Sequence, residues 1–134
     1  MPQLIKFIDQ IAREKQRDVL YIEFDREFYQ DYDYEDWDER TQFIQWLEQN
    51  KIAYQICGGW ASENSMESYR GQLYIDIAYD RSLAEYQKLS EYLEYADGRM
   101  KIKGLLFCYV PLEMAMKNKH HDEEGFWERW AENF

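Results

Sequence analysis

Gln72-Leu73-Tyr74-Ile75-Asp76-Ile77-Ala78-Tyr79 alternates strictly: Leu73, Ile75, Ile77 and Tyr79 fall on one face, and Gln72, Tyr74, Asp76 and Ala78 on the other. Successive side chains of an extended strand point to opposite sides, so this spacing predicts a strand over 72–79 with one apolar face. The polar loop from Trp60 to Gly71 precedes it, and Ile52 to Cys57 before that loop alternates as a second strand ended by Gly58-Gly59. Downstream, Asp80 or Ser82 is placed to cap a helix carrying Leu83, Tyr86, Leu89, Leu93 and Ala96 on one side, with Asp97-Gly98 as its stop.

The same reading extends to both ends. Asp18-Val19-Leu20-Tyr21-Ile22-Glu23-Phe24 predicts a first core strand over 19–24. Phe43, Ile44 and Leu47 mark a helix from Glu39 to Asn50, with Asp38 as the expected N-cap. Ile102 to Val110 reads as the last strand, closed by Pro111. Residues 2–16, with Pro2 in the first turn and Leu4, Ile8, Ile11 and Ala12 at helical spacing, read as a helix; residues 112–118 read as a helical turn, and 122–134 as a terminal aromatic helix. Stripped of its ends, the order is βαββαβ. The expected architecture is therefore α+β: a ferredoxin-like antiparallel sheet with helices on one face, plus additional N- and C-terminal helices. Residues 1–134 are expected to form a single domain, since the chain has 134 residues and no visible linker or repeat.

Charge is the second organising feature. Sixteen basic residues face 27 acidic ones, for a net charge of −11. A field of that sign repels nucleic acid and anionic membrane and attracts basic partners. No apolar run approaches the length of a membrane span, and no signal peptide is visible, so cytoplasmic is the expected location. Cys57 and Cys108 lie in apolar, strand-like stretches and are read as buried free thiols.

The charge is concentrated in residues 25–39, Asp-Arg-Glu-Phe-Tyr-Gln-Asp-Tyr-Asp-Tyr-Glu-Asp-Trp-Asp-Glu, which hold −7 of the −11. Phe28, Tyr29, Tyr32, Tyr34 and Trp37 are interleaved with the acids. Charge steers encounters and Tyr and Trp anchor interfaces, so Asp31, Tyr32, Asp33, Tyr34, Glu35, Asp36 and Trp37 are the candidate partner-binding residues. The competing reading is a solvated connection whose aromatics fold back onto the core. Asp31-x-Asp33-x-Glu35 has the opening spacing of a calcium loop, but Asp36 stands where glycine belongs and Gln42 where the bidentate glutamate belongs, which excludes an EF-hand.

Other chemistry is sparse. His120 and His121 are adjacent in a polar turn, are read as surface residues, and are not expected to point easily into one pocket. The run His120-His121-Asp122-Glu123-Glu124 is a weak lure for divalent ions; no metal site, cofactor or catalytic residue is expected. Phe126, Trp127, Trp130 and Phe134 form a second aromatic group, read as core packing or else as a patch for a partner or homodimer. The expected function is a small acidic binding protein, not an enzyme, that engages and inhibits a basic protein of toxin or nuclease type. In composition it resembles bacterial immunity proteins, which neutralise a cognate toxin; the likeness carries over no residue. The alternatives are a small enzyme or ligand-binding module with a pocket near loop 59–71, and a DNA-mimic regulator.

Overall fold

The computed structural model describes residues 5–63 and 69–132. Helix α1 spans Ile8–Lys15, strand β1 Val19–Phe24, helix α2 Asp38–Gln49, strands β2 and β3 Tyr54–Ile56 and Leu73–Ile75, helix α3 Ala84–Leu93, and strand β4 Leu105–Val110. Helix α4, Leu112–Ala115, runs into a 3₁₀ segment, Met116–Asp122, before helix α5, Phe126–Glu132. Pro2, Leu4 and Phe134, used in the sequence reading, lie outside the described residues.

The four strands form one antiparallel sheet in the order β2-β3-β1-β4. All four expected strands are present, but the ladder of β3 ends at Ile75 although the alternation runs to Tyr79. The reason is a pair of tight backbone turns: Ile77 N–H donates to Ile75 O and Asp80 N–H to Ala78 O, both at 2.9 Å. Ile77 nevertheless stays buried. Side-chain burial keeps period two beyond the point where strand pairing stops.

The sheet is covered on both faces, not on one. Leu20, Ile22 and Phe24 of β1, with Leu73 and Ile75 of β3, pack against Phe43 and Leu47 of α2 and Leu89 and Leu93 of α3. Trp46 stacks on Tyr92 at 4.2 Å and joins these two helices. On the opposite face Val19, Tyr74 and Val110 meet Ile8, Ile11 and Ala12 of α1 and Ala115 of α4. β1 reads apolar on both sides for that reason. The flanking helices are thus a second layer, not appendages.

Small local devices set the ends. Asp18 Oδ1 accepts from Leu112 N–H at 2.7 Å, which fixes the start of α4 beside the start of β1. Asp38 is the first residue of α2, and Trp37, extended at φ −75°, ψ 116°, occupies the cap position. Asp38 and Glu39 then lie in the first turn, where the helix dipole favours negative charge. Cys57 is fully buried; Cys108 is half-buried, because on β4 it sits toward the sheet edge with its thiol 3.7 Å from Leu106 O.

Candidate functional site

Segment 25–39 leaves β1 and closes on itself. Tyr29 and Trp37 stack at 4.1 Å with ring planes 19° apart, and both rings pack on Phe24 at the end of β1. Both are 6% exposed. Gly104, at φ +94°, lets this happen: a Cβ there would lie 2.7 Å from Phe28 and 2.8 Å from Tyr29. The Trp37 indole N–H donates to Asp31 Oδ1 at 2.9 Å, and Asp33 N–H donates to the same oxygen at 3.0 Å. These bonds, the indole first, hold the Asp31 carboxyl below the usual aspartate range. Burial, then a 2.7 Å hydrogen bond donated to Glu39, pushes the Tyr29 hydroxyl up.

Two arginines fasten the loop from the side. Arg40 donates from Nε to Gly71 O at 3.0 Å and lies 5.1 Å from the centre of the Tyr34 ring. Arg70 donates to Tyr29 O at 2.6 Å and covers the Tyr32 ring at 4.8 Å. The outcome is mixed with respect to the seven candidate residues. Asp31, Tyr32, Asp33, Glu35 and Asp36 face solvent, Tyr34 is half-buried, and Trp37 is part of the core. Phe28 and Tyr32, 40% and 59% exposed, are the loop's large solvent-facing aromatics. Among the described residues no lysine, arginine or histidine is ion-paired with Asp31, Asp33, Glu35 or Asp36. The loop is therefore a braced shelf whose acidic rim carries no ion pair among the described residues, with the Arg70 charge acting on Asp31 through space.

A second constellation lies where α1, the 3₁₀ segment and α5 meet. Arg13, buried, forms a fork with Asp122 at 2.7 and 2.8 Å and also donates to Asp9 at 2.9 Å and Ala115 O at 3.0 Å. Asp9, fully buried, further accepts from Ala61 N–H at 2.9 Å and the Asn118 amide at 3.0 Å. A buried carboxylate with this many donors is a structural node. Next to it, His120 Nε2 and His121 Nε2 both contact Glu63 Oε1, the latter at 2.9 Å. Those contacts, His120 first, hold the Glu63 carboxyl below its ordinary value. Neighbouring histidines thus do converge on one point, contrary to the sequence expectation. They leave a 3₁₀ backbone that carries a non-helical residue, Asn118, two positions upstream. His121 is also not a surface residue: Phe126 and Trp127 cover its ring at 4.9 and 4.7 Å.

A groove of about 810 Å³ adjoins this cluster, lined by Lys6, Phe7, Arg13, His121, Trp127 and Trp130 among others. It includes Ala61 of the 59–71 loop, of which residues 64–68 lie outside the described set. A cleft of about 640 Å³ between α3 and β4 is lined by Tyr79, Arg81, Tyr86, Tyr95 and Tyr109 among others. Cys57 is walled in by Ile8, Ile11 and Tyr74, and burial pushes its thiol up, which disfavours the thiolate a nucleophile requires. Glu63 was not singled out by the sequence, because its partners are 57 and 58 residues away and no local pattern marks it.

The fold and these sites define a mixed α+β protein with a four-stranded antiparallel sheet and a braced acidic loop. Comparison of the chain with protein-family models, with characterised proteins and with solved structures finds no match.

Proposed function

We propose that this chain is a small acidic binding module that engages a basic protein partner, of toxin or nuclease type, and blocks it. The observation that carries the reading is the braced acidic rim. Asp31, Asp33, Glu35 and Asp36 stand exposed with no cation paired to them among the described residues, and Tyr32 projects beside them. Holding four like charges together costs free energy in the isolated chain, and an oppositely charged partner relieves it. The stacked Tyr29 and Trp37, with Arg40 and Arg70, hold the rim in place before a partner arrives, which lowers the ordering cost of binding. Trp37 thus supports the surface from below, while Tyr32 supplies contact area. The sheet reads as ferredoxin-like: in the order β2-β3-β1-β4, each helix-bearing crossover passes over one intervening strand, which supports the split βαβ arrangement.

The test begins with capture of a stoichiometric basic protein from the native host and proceeds to rate constants for the purified pair. Association should slow as salt shortens the Debye length toward about 8 Å. Replacing Asp31, Asp33 and Asp36 with Asn and Glu35 with Gln should slow association with little change in dissociation. Removing the Tyr32 ring should speed dissociation, by the equivalent of about 2 kcal/mol if it is an anchor. A four-fold neutralised variant that associates as fast as the parent refutes the acidic rim as the binding surface. If the same variant instead loses affinity for a DNA-binding protein, with duplex DNA competing for that partner, the DNA-mimic form of the reading holds.

A further inference from the structure

We infer that Glu63, His120 and His121 form a binding site for a zinc-class divalent cation. Their ligand atoms all lie within 4.8 Å of one another. His120 Nε2 and His121 Nε2 approach the same carboxylate oxygen, Glu63 Oε1, from a single 3₁₀ segment. Zinc takes imidazole nitrogen and carboxylate oxygen at about 2.0–2.2 Å in tetrahedral geometry, which spaces neighbouring donors by roughly 3.3 Å. An ion entering between these three atoms has to move the Glu63 carboxylate back by up to about an ångström, most of it away from His120, and Glu63 is an exposed side chain able to do so.

The two histidine rings are held in advance by packing, and Glu63 by its backbone alone. The His121 side chain is 2% exposed and clasped by Phe126 and Trp127. Among the described residues its Nδ1 has no hydrogen-bond partner, and its Nε2 faces Glu63. Glu63 is fixed through its backbone, whose carbonyl accepts from the Trp130 indole at 2.8 Å. His120 packs at 4.4 Å from His121 and 5.4 Å from Phe126. Ligands held by packing and hydrogen bonds lose little freedom when they bind.

The donor set also selects the ion. Two imidazoles and one carboxylate suit Zn²⁺, Co²⁺, Ni²⁺ or Cu²⁺; Ca²⁺ and Mg²⁺ prefer all-oxygen shells. The acidic run after the histidines plays no part: Asp122 is taken by the Arg13 fork, and Glu123 and Glu124 stand outside the cluster. Three protein donors leave a tetrahedral ion one position for water, the composition of sites that act on a ligand. The groove of about 810 Å³ that His121 helps line lies alongside. This inference is independent of the acidic rim on 31–36.

The experiment uses the full chain without an affinity tag, stripped with chelator. Zn²⁺ is titrated calorimetrically, and Co²⁺ is followed by its visible absorption. One ion should bind per chain, with the intense Co²⁺ spectrum of a tetrahedral N/O site, and Zn²⁺ should raise the melting temperature. Glu63→Gln and His120→Ala, both at exposed positions, should melt like the parent without metal. Each should weaken Zn²⁺ binding at least about 10-fold, the loss that even a supporting residue of a metal site produces. Because His121→Ala removes a buried ring, these two variants decide the matter. No saturable Zn²⁺ binding overturns the inference. So does binding unchanged in both variants, or Ca²⁺ binding as tight as Zn²⁺, since either places the ion on the general acidic surface.

Discussion

Trp37→Ala separates the two roles a tryptophan in an acidic loop can have. An exposed anchor lost to alanine changes binding and leaves stability near its parent value. The structure gives the opposite expectation. Trp37 is 6% exposed, stacks on Tyr29 at 4.1 Å, contacts Phe24 at 5.5 Å and donates to Asp31 at 2.9 Å. Truncating a buried aromatic of this kind costs about 3–5 kcal/mol, a large share of the 5–15 kcal/mol that holds a domain together. For a chain of this size that is a fall in melting temperature of about 10–20 °C. Circular dichroism during thermal and urea unfolding reads it without interference from the other four tryptophans. Trp37→Phe keeps a ring but removes the indole N–H, the first cause of the lowered Asp31 carboxyl, so the Asp31 titration followed by NMR should move up. Asp31 is depressed in the folded state. Its contribution is therefore present above the unfolded aspartate range and is lost as pH falls through the folded value. In Trp37→Phe that acid-side loss should shrink. A Trp37→Ala variant that melts with the parent refutes the core assignment and returns Trp37 to the surface.

Other outcomes follow from the same packing. Native protein should react very slowly with thiol reagents at neutral pH: burial raises both thiols, Cys108 to about 11, and Cys57 should label only on unfolding. Rapid native labelling of Cys57 would contradict its burial. Arg13→Ala should destabilise the fold by about 3–5 kcal/mol, because it strands the buried Asp9 carboxylate, and urea unfolding of the variant checks this. Neutralising Asp33, Glu35 and Asp36 together, with Asp31 left to accept from the Trp37 indole, should leave the melting temperature equal or higher, since it removes repulsion among exposed carboxylates. A clear fall in calorimetry would show that they hold the loop together.

Much of the fold could be read from the sequence because periodicity reports burial directly. Leu73, Ile75 and Ile77 alternate and are buried; Phe43 and Leu47, a helical turn apart, face the sheet together. What periodicity misses is what covers a face. Val19 and Tyr74 are buried by α1, which reads equally well as a helix on the edge of the domain. The acidic loop shows the same limit: spacing cannot say which of Phe28, Tyr29, Tyr32, Tyr34 and Trp37 turn inward. That choice is made by Gly104, whose missing Cβ opens room for Phe28 and Tyr29, and by contacts remote in sequence, Arg70 on Tyr29 and Arg40 on Gly71. Glu63 with His120 and His121 was invisible for the same reason, since the chain brings them together only in three dimensions.

The Arg13 node has a consequence for biosynthesis. Arg13 and Asp9 are partnered by Ala115, Asn118 and Asp122, about a hundred residues downstream. At the usual 5–20 residues per second of translation, α1 leaves the ribosome roughly 5–20 s before its partners exist. During that interval Ile8, Ile11 and Ala12 have no α4 to lie against, and Asp9 has only Arg13 and, once it has emerged, the Ala61 N–H. Helix α1 is thus made well before the residues that lock it. Protease digestion of arrested nascent chains should cut α1 readily at a length of 105 residues and poorly once 122 have emerged.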